Sequence, residues 1–526
     1  MITRQRGFAL AWTARRRGNA RSHWLFGVLL AAGLALRLAA ALAYRPALVY
    51  IDTARYLGGD ARGLDPLGYS YLLLRPVLLA GGGLAGVAAL QHALGLAMAT
   101  CLYALALRYG ASRWLAALAA APVLLDAYQV QAEQMIMPDA AFEALLVAAL
   151  TLLLWPPGSG TGRGYALARL AGGAALLGVS ATVRQVGEVL AAPLLAYVLA
   201  ATPGWRPRAV RAAAAIVVFA LPVVAYMALS AGVLGDGFRL SDMDDAYLYG
   251  RMAHAADCAT LRIPAYERPL CPSPATAAAL GTDGLATDPV SAVFSYEPPA
   301  GVSRGAAAAR FDEAVLFQQP LRVARDIAGD AVKVFALTRD TAAGDPPVSR
   351  WQFQEGYPVY RAADRAVLGS QEPRATVPLA RALRAYQLHG GFTPGPLLLA
   401  FLIAGTGGCF AFRRQRALAL GCLLATGLGA AALLGADVYE FSWRYQLPAL
   451  VTLPLAGALG ATAFIRFAVT RWPAGQGRMI RCTPTRTEAA RRSGPSPATS
   501  STQTTGSGSA GTTSSAGTAP GERTPS

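Results

Sequence analysis

Long apolar runs alternate with short polar breaks along most of this chain. A helix needs roughly 20 apolar residues to cross a ~30 Å hydrocarbon core. By that measure the pattern predicts spans near 24–43, 84–107, 113–130, 139–156, 166–183, 186–202, 210–233, 394–412, 416–436 and 446–468. The fifth and sixth are short and closely joined. Two breaks are long: residues 44–83, and residues 234–393, which exceed an ordinary connection many times over. The expected fold class is therefore an all-α polytopic membrane protein of about ten helices. Its organisation would be a basic tail 1–23, an N-terminal module 24–233, a folded loop domain of mixed structure 234–393, C-terminal helices 394–468 and a tail 469–526.

Composition agrees. The 526 residues are 54% hydrophobic and 15% charged, well short of the charge of a soluble domain. The net charge of +17 would fit a nucleic-acid binder if the basic residues lay in patches on a polar background. They punctuate apolar runs instead, which speaks against nucleic acid. Sorted by side, the arginines cluster in the two tails and in the breaks near 108–113, 163–169, 206–211 and 413–416. With both termini cytoplasmic, every one of these falls inside and the remainder of the chain is net acidic, a strong positive-inside pattern. The basic stretch before residue 24 also reads as a signal peptide, but the apolar run is long and carries Arg37, which favours a retained helix. The expected location is the bacterial cytoplasmic membrane. The tail 469–526 is rich in Ser, Thr, Gly and Pro and too poor in large apolar residues to build a core.

Of six cysteines, only Cys258 and Cys271 fall in the long outside segment. In an oxidising compartment that pair reads as a disulfide.

The polar residues at the outer ends of the spans carry the candidate chemistry. The first outside loop reads YIDTARYLGGDARGLDPLGYSYLL. Asp52 is placed to act as a general base at the lipid–water boundary, or is an ordinary solvated loop acid. Arg55 and Tyr56 follow one turn later, and Asp65-Pro66-Leu67-Gly68-Tyr69 forms a turn. The second outside turn brings Asp126, Glu133, Asp139 and Glu143. Ionisable groups at the edge of a span are costly and default to function; helix capping by Asp139 after Pro138 is an equally physical use. Arg184 and Glu188 lie one turn apart between the fifth and sixth spans and read as a pair. Arg444 and Tyr445 open the last span. Cationic groups at this level suit a lipid phosphate or serve as snorkelling anchors. No phosphate-binding glycine loop, dinucleotide fingerprint or HExxH helix is present. The acidic run Asp242, Asp244 and Asp245 reads as a solvated loop or a divalent-cation site.

In order and sidedness these pieces resemble the GT-C class of membrane glycosyltransferases, and within it the bacterial relatives of protein O-mannosyltransferases and aminoarabinose lipid A transferases. The matching features are LALRLAAAL ending the first span, Asp52 with Tyr56 and the 65–69 turn, Asp139 opening the fourth span, Arg184 between the fifth and sixth, and Arg444 to Pro448 opening the last. They cover roughly residues 24–202 and 436–468. Many relatives carry two adjacent acids in the first loop, where this chain has Asp52 followed by Thr53.

The resemblance implies an inverting sugar transfer from a polyprenyl-phosphate donor to an acceptor hydroxyl on an envelope glycan, lipid or protein, at the extracytoplasmic face of the bilayer. Asp52 would be the base. Arg184 and Arg444 would stabilise the leaving phosphate. Asp139 and Glu133 would contact sugar hydroxyls or a divalent cation. Arg55, Tyr56, Tyr69 and Tyr445 would complete the substrate site. A secondary transporter or lipid flippase is the alternative, although no internal repeat is evident and the polar residues gather at one surface rather than at mid-membrane. A non-catalytic scaffold presenting the long loop is a third reading.

Overall fold

The computed structural model describes residues 23–58, 65–155, 162–235, 237–241, 244–358, 372–413 and 415–471. The N-terminal basic tail, Asp242 and nearly all of the tail 469–526 lie outside the described residues. Residues 1–472 cluster as one compact unit.

In chain order the principal elements are α1 (Trp24–Ala43), β1 (Tyr44–Arg45), α2 (Thr53–Leu57), α3 (Gly83–Arg108), α4 (Arg113–Leu125), α5 (Ala127–Gln134), α6 (Asp139–Leu154), α7 (Arg163–Val183), α8 (Ala191–Ala201), α9 (Trp205–Leu229), α10 (Asp244–Ala255), α11 (Pro274–Thr287), α12 (Arg304–Gln318), α13 (Pro320–Lys333), β2 (Arg374–Ala375), α14 (Val377–Leu388), α15 (Gly395–Cys409), α16 (Arg416–Asp437) and α17 (Leu447–Arg471). A helix stands at each of the ten predicted spans. Among the described residues six helical segments are long and apolar enough to cross a membrane, and α4 with α5 would make a seventh, bent by 49°. The others, α6, α15 and the segment 185–201, are shorter.

Asp126 causes that bend. Its carboxylate accepts from Tyr128 N at 3.0 Å, so it caps α5 and ends α4 inside the apolar run. Its other oxygen accepts from Arg339 and from Thr393 N, tying the segment 234–393 to the bundle.

The first span hides a charge. Arg37 is buried and donates to the carbonyls of Gly33, Val123 and Leu124 and, at 2.7 Å, to Glu133. Glu133 also meets His92 Nδ1 at 3.0 Å and accepts from Gln129 at 3.2 Å. A side chain at Gly95 would collide with this pair, so the glycine gives Arg37 and Glu133 their room.

Residues 244–333 fold as four helices around a second apolar cluster that includes Tyr249, Met252, Leu270 and Phe311. Mixed structure was expected across 234–393. Apart from the two-residue β2, which pairs antiparallel with β1, the described part is helical, with 3-10 turns and loops. Cys258 and Cys271 are disulfide-bonded. Arg251 is fully buried and pairs with Asp326 and Asp330 of α13, and its Nε donates to Val438 O beyond α16. These contacts lock α10 and α13 onto the segment that leads to Arg444.

Candidate active site

Three strands of chain converge at the end of the bundle where α1 finishes and α6 begins. Leu48 forms an isolated parallel bridge to Met135: Leu48 N donates to Gln134 O and Ile136 N donates to Leu48 O, both at 3.0 Å. The pairing carries Asp52 up to Pro138 and Asp139. Thr53 fastens the next step. It is wholly buried, and its hydroxyl donates to Ile136 O at 3.1 Å while accepting from Tyr50 N at 2.9 Å. The turn at 65–69 lies against the end of α7. A Cβ on Gly68 would strike the Thr182 carbonyl, two residues before Arg184.

The result is a chain of alternating charge. Asp52 Oδ2 accepts from Arg444 Nη1 at 3.2 Å, and Asp52 Oδ1 lies 3.4 Å from Arg55 Nη1. Arg55 bonds Asp65 at 2.8 Å. Asp139 pairs closely with Arg184, and its Oδ1 stands 3.4 Å from Arg444 Nε. Tyr445 lies under both cations, 4.7 Å from Arg184 and 4.8 Å from Arg444. Trp351, from the long segment between α9 and α15, covers Arg444 from 5.1 Å.

These residues surround a cavity of about 120 Å³. Asp52, Arg55, Tyr56, Arg184, Arg444 and Tyr445 line it. Asp139 sits just behind, one residue past the lining Pro138 and bonded to two of its cations. The structure does not bring the other two predicted residues to the cavity. Tyr69 is buried behind Tyr56, ring edge to face at 5.3 Å, and donates to Gln91. Glu133 is fully buried in the Arg37 network. Its place is therefore inside the bundle, because a buried guanidinium in the first span demands a carboxylate partner.

Sequence reasoning missed Asp65, Glu440 and Tyr247 as cavity residues. The signal for Glu440 was its position four residues before Arg444; Tyr247 is carried in from α10 and had no local signal. Burial raises the Asp65 carboxyl above the ordinary carboxylate range, the Asp52 charge adds to this, and Arg55 opposes it. Burial also raises Glu440 strongly, with Asp283 reinforcing the effect. The Tyr56 phenol is raised well above its usual value by burial first and by Asp65 and Asp52 next, so it stays neutral.

No group of three or more His, Cys, Asp or Glu among the described residues is arranged to hold a metal ion. Asp52, Asp65 and Asp139 each face an arginine.

No family model matches the chain, and no curated protein matches it in sequence. Among solved structures, the chain is similar to the oligosaccharyltransferase AglB from Archaeoglobus fulgidus, in complex with an inhibitory peptide and a dolichol-phosphate, at 13% identity and a TM-score of 0.38 over 90% of this chain and 53% of that one. The chain thus spans about half the length of the archaeal enzyme. It is also similar to ArnT from Cupriavidus metallidurans, at 15% identity and a TM-score of 0.32 in the apo state, over 84% of this chain and 78% of that one. With ArnT bound to undecaprenyl phosphate the identity is again 15% and the TM-score 0.31, over 83% and 78% of the two chains.

Proposed function

We propose that the protein is a membrane glycosyltransferase that moves a sugar from a polyprenyl-phosphate donor to an acceptor hydroxyl, with inversion, at the extracytoplasmic face. One observation carries the reading. Asp52, Arg184 and Arg444 come from distant parts of the chain and converge on one cavity, together with neutral hydroxyls, at the end of an apolar bundle.

The chemistry follows from that arrangement. An anionic phosphate entering the cavity competes with Asp52 and Asp139 for Arg184 and Arg444. Guanidiniums bind phosphate in a bidentate manner and favour its charge. Once Arg444 turns to the phosphate, Asp52 loses a counter-charge and becomes the stronger base. It then takes the proton of the acceptor hydroxyl. The acceptor oxygen bonds to the anomeric carbon from the opposite face as the carbon–oxygen bond to phosphate breaks. The electron pair leaves on the phosphate, where Arg184 and Arg444 stabilise the growing charge. Asp139 holds both arginines in place. Tyr56 and Tyr247 supply neutral hydroxyls to the sugar, and Glu440 faces the same cavity. In this reading both termini are cytoplasmic and the acceptor is an envelope glycan, lipid or protein.

The test is sugar transfer in membranes containing the full-length protein and a panel of polyprenyl-phosphate-linked sugars. Transfer with inverted anomeric configuration is expected. Normal transfer by Asp52→Asn would overturn the base assignment. Lipid translocation with no transferred sugar in any product would favour a flippase.

A further inference from the structure

A second cavity lies at the opposite end of the bundle. α3 runs from Gly83 to Arg108, and α6 from Asp139 to Leu154, so the ends at Arg108 and Leu154 lie away from the Asp52 cluster. Here α3, α6, α7, α8, α16 and α17 enclose a cavity of about 1060 Å³. It is far larger than a free phosphate requires and reaches the size of sites for whole organic ligands.

Four arginines converge on it: Arg108, Arg169, Arg416 and Arg466. Among the described residues no carboxylate lines it. Their recorded contacts are to neutral groups. Arg169 donates to the carbonyls of Leu152 and Leu153, Arg416 to those of Ala200 and Ala201, and Arg466 to that of Tyr109. Arg108 lies over the Trp155 ring at 4.8 Å. Helix carbonyls orient these side chains, yet four full charges share one concavity with no counter-charge on its wall. Each guanidinium has five donors, more than these contacts use. Beyond the arginines, Gln415, Tyr109 and Tyr197 also line it, and an apolar stretch with Leu420, Ile465 and Phe467 extends along α16 and α17.

The depth is set independently. Trp24, Trp114 and Trp205 begin α1, α4 and α9 at this same end, and all are more than half exposed. Exposed tryptophans at one level mark a membrane–water interface. A basic pocket between helices at that level, with an apolar floor, matches the head group and upper acyl chains of an anionic phospholipid.

We propose that this cavity is a binding site for one anionic phospholipid of the leaflet at this end, with its phosphate among Arg108, Arg169, Arg416 and Arg466 and its chains along α16 and α17. The site is separate from the Asp52 cavity and does not depend on the proposed sugar transfer.

The test uses purified full-length protein in neutral detergent, titrated with phosphatidylglycerol or phosphatidylcholine and read by native mass spectrometry. Phosphatidylglycerol should bind the wild type and phosphatidylcholine should not. Each arginine removed should weaken binding about fivefold, so Arg108→Gln/Arg416→Gln should weaken it by about 25-fold. Arg206→Gln, at the same end but outside the cavity, should change nothing. Because Arg416 also caps α8, Arg108→Gln alone keeps the test valid if the double variant fails to fold. Equal binding of both lipids, or unchanged phosphatidylglycerol affinity in Arg108→Gln, would overturn the proposal. So would full displacement of the lipid by equimolar inorganic phosphate or glycerol 3-phosphate, since the site would then recognise free phosphate.

Discussion

Arg444 reaches back across 392 positions of sequence to donate to Asp52 at 3.2 Å. The same guanidinium faces Asp139 at 3.4 Å. One cation thus holds the proposed base and the carboxylate behind it, and any anion that draws it away changes both.

Removing that coupling should separate binding from chemistry. Asp52→Asn keeps the shape and an acceptor for Arg444 but cannot take a proton. Turnover should fall by about 100- to 10,000-fold with little change in the amount of folded protein. Arg444→Lys keeps the charge and loses the planar fork. It should lower kcat strongly while the donor still binds, measured as kcat and KM for lipid-linked sugar in membranes.

Thr53 directly follows the proposed base Asp52. Here it is buried, and its hydroxyl bridges Ile136 O and Tyr50 N. A carboxylate in its place would face a carbonyl oxygen without a cation. Thr53→Asp should therefore destabilise the protein by about 2 kcal/mol or more, while Thr53→Ser should be tolerated. Thermal unfolding in detergent reads both, and an undiminished Tm in Thr53→Asp would show that this position opens to the cavity after all.

Glu133 offers a sharper contrast between a site role and a packing role. Its carboxylate is fully buried against Arg37. Breaking a buried pair from one side costs about 3–5 kcal/mol, whereas replacing both partners by apolar residues costs far less. Glu133→Leu should unfold readily, and Arg37→Met/Glu133→Leu should recover much of the loss. If instead Glu133→Leu folds normally and loses only substrate affinity, Glu133 belongs to the site.

How much of this was written in the sequence depends on range. The apolar runs placed a helix at every predicted span because burial against lipid or neighbouring helices needs only local pattern. Asp52, Arg184 and Arg444 were legible because a charge at the end of an apolar run has few reasons to be there. The bend between α4 and α5 was not read from the apolar run, although Asp126 within it is an N-cap residue that could have signalled it. The Arg37–Glu133 pair links positions 96 apart, and Trp351 reaches Arg444 from inside a long loop. Such contacts depend on how helices pack, which hydrophobic periodicity does not encode.

The anchoring of α10 to α13 should titrate. Asp326 bonds His254 and the buried Arg251. Burial by itself would raise its pKa, but the His254 hydrogen bond and the Arg251 charge outweigh it and hold the carboxyl below its ordinary 3.8. With the folded value below the unfolded one, the charged form stabilises the fold at every pH above the unfolded value. That contribution shrinks as pH drops below 3.8 and is gone once pH passes through the folded value. Asp326→Asn removes it at all pH values. The variant should unfold at a lower temperature than wild type at neutral pH, and the two should draw together as the solution is acidified toward pH ~3. A temperature gap that stays constant across that range would mean that Asp326 stabilises the fold by its shape alone, without its charge.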